Sequence, residues 1–300
     1  MSPLKLCAVA ITAALLALPA LAGKIDPLLP AISYVSYPSY DLGSDPQRNL
    51  TISAQLRVPT SAAEAMPAVV ILHGSAGIDS RGALYARALN QAGFVTLEVD
   101  MWGARGLAGG GNRPPLPTVT LPDAFGALDY LAKVPGIDPG RIGVLGFSWG
   151  GVMSMLSANR SYADGLGSNG LAFAAHVAHY PVCWAYNRGI PGIVFDNLTG
   201  APVLIQVGNL DDYDEGGEVC EGLVASLSEP DRSSASVRVY PNAHHAWDRL
   251  QPPLTVQDQF SHLGAGGEVN LVPNPGKAGQ SSRNVVRFFK SAMGNSFGAH

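Results

Sequence analysis

The chain has 300 residues, 47% of them apolar, enough for a sizeable α/β core, and no composition break divides it. Its 19 basic and 23 acidic residues leave a net charge of -4 without any basic run, which argues against nucleic acid and anionic membrane surfaces as partners.

Residues 1–22 form a short apolar run behind a single lysine, Lys5, and close on Ala20-Leu21-Ala22. That pattern reads as a signal peptide, too short and too weakly flanked for a transmembrane anchor. The mature chain, residues 23–300, is then one exported domain, periplasmic or secreted. It keeps two cysteines, Cys183 and Cys220, and an even count in an oxidising compartment points to one disulfide. Two free buried thiols are the alternative.

From Lys24 to Asp45 the chain reads as an irregular arm with some edge strand. Residues 50–58 alternate as an early strand, and 67–74 read as a central strand buried on both faces. A helix is predicted over 82–92, stopped by Gly93, and a strand over 94–99. Residues 103–117 hold five glycines and three prolines, so they read as a loop, one that leaves the sheet where it borders a substrate pocket. A helix begins at Pro122. Later strands are expected over 171–180, 202–207 and 236–240, with helices over 217–227 and 282–293. Residues 250–279 read as a long Pro/Gly-rich insertion. Strands alternating with helical patterns predict a doubly wound, mostly parallel sheet flanked by helices.

Between those elements lies Arg141 to Gly151, R-I-G-V-L-G-F-S-W-G-G. A buried strand pattern runs into Gly146-Phe147-Ser148-Trp149-Gly150, a match to G-x-S-x-G. A strand that turns at once into a helix strains the serine backbone and pushes its hydroxyl out at the top of the sheet. Serine needs a base, and the base works best when a carboxylate fixes its tautomer. Both follow predicted strands, as Asp211-Asp212 after Val207 and His244-His245 after Tyr240. Either member of each pair has the right chemistry. The amides of Trp149 and Ser75 are the candidate oxyanion donors. The acidic run Asp211 to Glu215 lacks the alternating ligands of a calcium loop. His176 and His179, three apart in a strand, face opposite ways, so no metal is expected.

These motifs resemble the dienelactone hydrolase family of the α/β-hydrolase superfamily. Its markers here are Ile71-Leu72-His73-Gly74-Ser75, residues 100–106, Gly146 to Gly151, Val207 to Asp212 and Tyr240 to Asp248. The family spacing from Tyr240 selects His245, and its glycine-x-x-aspartate pattern selects Asp211. The best-known members carry a cysteine where this chain has Ser148. They also carry a glutamate after the first central strand, where this chain has Gly74-Ser75. The resemblance thus implies a general ester or lactone hydrolase with Ser148, His245 and Asp211 as its triad, no cofactor and a small-molecule substrate. It also places Arg105 within one residue of the position where an arginine of the family can bind a substrate carboxylate; a surface arginine paired with an acid such as Asp100 is the competing reading. Two other functions remain open, a secreted accessory protein on this fold and a peptidase. No feature of the sequence fixes an oligomeric state.

Overall fold

The computed structural model describes residues 29–60 and 65–294. The expected signal peptide lies outside them. Ten strands are described: β1 (Ala31–Tyr40), β2 (Asn49–Val58), β3 (Met66–Leu72), β4 (Val95–Asp100), β5 (Ile137–Phe147), β6 (His176–His179), β7 (Val203–Leu210), β8 (Ala235–His244), β9 (Leu254–Asp258) and β10 (Gly267–Leu271). The helices are α1 (Ser80–Gln91), α2 (Leu121–Ala132), α3 (Trp149–Ser157), α4 (Arg160–Leu166), α5 (Glu218–Ala225), α6 (Asp231–Ser234) and α7 (Pro275–Met293).

The first eight strands make one sheet in the order β1-β2-β4-β3-β5-β6-β7-β8. β1 and β2 run antiparallel, and the six strands from β4 to β8 are parallel, giving an α/β-hydrolase-type sheet. The continuous apolar run of β3 has its cause in the layers. Ala68, Val70 and Leu72 pack under α2 and α3, whereas Val69 and Ile71 pack under α1 and α7. Both faces are covered, so neither can be polar. Each fully buried aliphatic side chain there contributes about 1.5–3 kcal/mol.

Four sequence expectations shift. The arm before residue 45 holds a full ten-residue edge strand, β1, with Pro38 tolerated because an edge strand can spare an amide. The strand expected over 171–180 is regular only at His176–His179, where it pairs with both β5 and β7. The last helix starts at Pro275 rather than Ser282, because Asn274 caps it by accepting the Lys277 amide at 3.1 Å. Its stripe Ala278, Ser282, Val285, Phe289 and Met293 lies against the sheet. The insertion over 250–279 is likewise part structured. Leu254 and Val256 pair with Leu271 and Val269 in the β9–β10 hairpin.

The two histidines of β6 do face opposite ways. His176 Nδ1 lies 3.0 Å from the Ser154 carbonyl on the α3 side, and His179 Nδ1 lies 3.0 Å from Asp248 Oδ2 on the other. His176 Nε2 is buried without a partner, and burial lowers this imidazole to about 4. An unfolded imidazole titrates near 6.5, so the unfolded chain binds the proton first. Its contribution to stability is therefore present above about pH 6.5 and lost as the pH falls towards 4. His176→Leu should flatten the fall in unfolding free energy over that window by on the order of 3 kcal/mol. Denaturant titrations of both proteins at several pH values read this directly, and parallel curves would exclude His176 as an acid-labile point.

Candidate active site

Ser148, the residue of the strand-to-helix turn, has φ 50° and ψ -108°, a strained conformation for a residue with a side chain. The turn is this tight because α3 begins flush against the sheet. A Cβ on Gly146 would run into the Gly150 carbonyl, and one on Gly150 would strike Leu72. The Ser148 amide donates to the His179 carbonyl at 2.9 Å and the Gly150 amide to the His73 carbonyl at 3.1 Å. Trp149 opens α3, so its amide has no intrahelical acceptor and is the spare donor of the turn.

The other two groups arrive through strand register. β7 and β8 are parallel neighbours in which Leu210 pairs with His244. The residues that follow, Asp211 and His245, therefore leave adjacent strands together at the carboxyl end of the sheet. His245 Nδ1 lies 2.9 Å from Asp211 Oδ2 and 3.1 Å from Oδ1, and His245 Nε2 lies 3.0 Å from Ser148 Oγ. A carboxylate can only accept, so Nδ1 carries the hydrogen and Nε2 offers its lone pair to the serine. All three residues are buried.

The doublets are thereby separated by geometry. Asp212 instead accepts the Asn270 amide at 2.7 Å and its side-chain nitrogen at 3.2 Å, fastening β10 to the loop after β7. His244 ends β8 with its Nδ1 buried and unpartnered. His73 accepts the Met101 amide on Nε2 at 3.0 Å and so donates from Nδ1 to the Gly74 carbonyl at 2.8 Å. Burial keeps it neutral, lowered to about 4, in a structural role.

Arg105 is a correction. Its side chain is 1% exposed and lines neither pocket beside Ser148. Nε donates to Asp41 at 2.7 Å, and Nη1 donates to Asp123 at 2.7 Å and to the Met101 carbonyl at 2.7 Å. Burial outweighs the attraction of Arg105 and holds Asp123 up at about 6. The guanidinium is buried and held by two aspartates and a carbonyl, so it is not available to a substrate carboxylate.

The arginine of this loop that does reach the site is Arg113, eight residues on. It pairs with Asp258 at 2.7 Å, and its guanidinium lies 5.6 Å from the Trp149 ring centroid. Sequence reasoning placed the loop against the pocket but chose the wrong arginine. It also passed over Tyr180 and Tyr213, whose rings pack on His245 at 4.5 and 4.4 Å. Tyr180 donates to Asp248 at 2.6 Å and Tyr213 to Asp258 at 2.9 Å, so both rings are anchored. Their positions, one at the end of a predicted strand and one beside the aspartate doublet, are the signal that was there to read.

Cys183 and Cys220 are disulfide-bonded, with Cα atoms 5.1 Å apart. The bond joins the segment after β6 to α5. Beside it Asp214 accepts the Cys183 and Trp184 amides at 2.9 and 2.8 Å, and burial together with the charge of Asp211 raises it to about 7.

Two pockets meet at Ser148. A small one of about 70 Å³ is walled mainly by apolar side chains, among them Val152, Val182, Ile190, Ile193 and Phe260. A larger one of about 420 Å³ is lined by His245 and by Arg81, Arg249, Gln257 and Gln259. Ser75 borders both, and its carbonyl is held by Trp102 Nε1 at 3.0 Å and by the Gly110 amide at 2.8 Å.

A sequence model of the dienelactone hydrolase family matches residues 52–292. An uncharacterised protein of Mycobacterium tuberculosis is 32% identical over 174 residues, which cover 55% of this chain and 59% of that one. An uncharacterised protein of Pseudomonas aeruginosa is 34% identical over 108 residues, 34% of this chain and 29% of its own. The chain thus spans less than two thirds of the length of the curated relatives it matches. Among solved structures, a dienelactone hydrolase-like promiscuous phosphotriesterase from metagenomic libraries superposes with a TM-score of 0.55 at 16% identity, covering 88% of this chain and 100% of its own. An esterase of Pyrobaculum calidifontis gives 0.57 at 18%, covering 87% and 85%. At such identities these structures speak for the fold alone.

Proposed function

Because this chain belongs to the dienelactone hydrolase family, we propose that it is a serine hydrolase that cleaves a small ester or lactone through an acyl-enzyme. The observation that carries the reading is the unbroken chain from Asp211 through His245 to Ser148 Oγ, with contacts of 2.9 and 3.0 Å. Ser148 Oγ attacks the carbonyl carbon while its proton passes to His245 Nε2. Asp211 holds the ring and stabilises the imidazolium that forms. The amides of Trp149 and Ser75 receive the developing oxyanion. The carbon–oxygen bond to the alcohol breaks, and Nε2 returns the proton to the leaving oxygen. Water then attacks the acyl carbon, gives a proton to Nε2, and the bond to Ser148 breaks with that proton returning to Oγ. The products are an alcohol and a carboxylic acid, or one hydroxy acid from a lactone.

The protein acts after export in this reading, supported by the Ala20-Leu21-Ala22 cleavage pattern and the Cys183–Cys220 bond. Among the described residues no helix is long and apolar enough to cross a membrane.

A fluorophosphonate probe tests the reading, since it labels only an activated serine. One adduct is expected, on the peptide containing Ser148, and an unlabelled native protein would remove the proposal. The doublets give a second test. His245→Ala should lower kcat on the best ester by three or more powers of ten, and His244→Ala by less than about tenfold. Asp211→Asn should likewise cost more than Asp212→Asn, which disturbs the hairpin rather than the imidazole. A reversed order in either pair contradicts the assignment.

A further inference from the structure

The two pockets at Ser148 differ in size, polarity and access to the base, and a fourth difference follows from those. We infer that the site sorts an ester by its halves, admitting a short apolar acyl group to the small pocket and a polar alcohol to the large one. The inference rests on the serine hydrolase reading of the same centre.

His245 decides the direction. The leaving oxygen must receive its proton from Nε2, so it has to lie on the side of Ser148 that His245 borders. His245 lines the large pocket and is not among the residues of the small one. The water that resolves the acyl-enzyme needs the same nitrogen as base and enters from the same side. The acyl substituent is left with the other direction, past Trp149 and into the small pocket.

The chemistry of the walls agrees. Val152, Val182, Ile190, Ile193 and Phe260 offer an acyl chain dispersion contacts and no hydrogen-bond partner. At about 70 Å³ against about 420 Å³, the small pocket suits the shorter of the two halves. A much longer chain outruns these walls and gains no further contact from them. The large pocket, with its arginine and glutamine side chains, suits an alcohol that stays hydrated or hydrogen-bonded as it leaves.

The partition between the halves is the Arg113–Asp258 pair, which borders both pockets. Asp258 is held on three sides, by Arg113 at 2.7 Å, by the Tyr213 hydroxyl at 2.9 Å and by the Phe260 amide at 2.9 Å. Arg113 in turn rests on the Trp149 ring. An acyl chain therefore cannot slide sideways into the polar compartment without breaking a desolvated ion pair.

The test keeps the leaving group constant. p-Nitrophenyl esters from acetate to decanoate are compared by kcat/KM in the native protein, Ile190→Ala and Val152→Phe. The native profile should peak between butanoate and hexanoate and fall at least tenfold by decanoate. Ile190→Ala, which only removes atoms from a half-buried loop residue, should move the peak to longer chains. Val152→Phe should move it towards acetate, lowering the hexanoate-to-acetate ratio about a hundredfold. Profiles of unchanged shape in a folded Ile190→Ala protein overturn the inference, as does a native profile that stays flat to decanoate. If esters are turned over and Ser148 is labelled, either result leaves the hydrolase reading standing. If no ester reacts and Ser148 takes no probe, the hydrolase reading falls and the sorting falls with it.

Discussion

Ser148→Ala is expected to lower kcat for the best ester on the order of a million-fold while the protein still folds. The size follows from the role. Without Oγ there is no acyl-enzyme, and His245 has nothing to deprotonate except a badly placed water. Folding should survive because the hydroxyl hydrogen-bonds only His245 among the described residues, and the backbone strain at φ 50° is the same for alanine. Steady-state assays paired with a thermal melt separate the two effects. A folded Ser148→Ala protein with turnover near the native rate would falsify the acyl-enzyme mechanism.

Arg105→Ala should be the most damaging change for stability, at about 3–5 kcal/mol. It deletes a buried cation and leaves two carboxylates, Asp41 and Asp123, facing each other without it. It also frees the Met101 carbonyl just below the loop that carries Arg113. Losses of that size unfold many domains outright. Asp123→Asn in the Arg105→Ala background removes one of the stranded charges and should recover part of the loss, which makes a double-mutant cycle the decisive measurement. An unchanged melting temperature, joined to a higher KM only for esters bearing a carboxylate, would return Arg105 to the substrate.

These two residues also mark how far the sequence could be read. Ser148 was legible because the reasons for it are local: small residues two positions either side, an apolar strand before and a helix after. His245 and Asp211 were nearly as legible, each standing just past a strand pattern, although only register between β7 and β8 shows why those members of the doublets meet. The disulfide followed from arithmetic, since setting aside the expected leader leaves two cysteines. Arg105 failed for the opposite reason. Its partners lie 64 and 18 residues away, and nothing local to the loop announces that the chain will bring two acids to it. The β9–β10 hairpin was hidden in a similar way. Its alternation is short and sits among prolines and glycines, so the punctuation was visible and the pairing was not. Where α7 begins was in plain view at Asn274-Pro275, a cap followed by a proline at the first helical position, and the apolar stripe further on drew attention away from it.

The fastening of β10 to the loop after β7 bears on how this protein can be altered by recombination. Asn270 holds Asp212, while the backbones of Asp212 and Tyr213 accept the amides of His262 and Leu263 at 2.8 and 3.0 Å. The same excursion also supplies Phe260 and Asp258 to the pocket wall. Exchanging residues 254–271 for those of a relative would look, on a map of the chain, like a clean swap of a specificity cassette. It would also strip the donors from the residue next to Asp211. Successful chimaeras will therefore have to carry the Asp212 loop and the hairpin over as a matched set, because in this chain the two are hydrogen-bonded into one working unit.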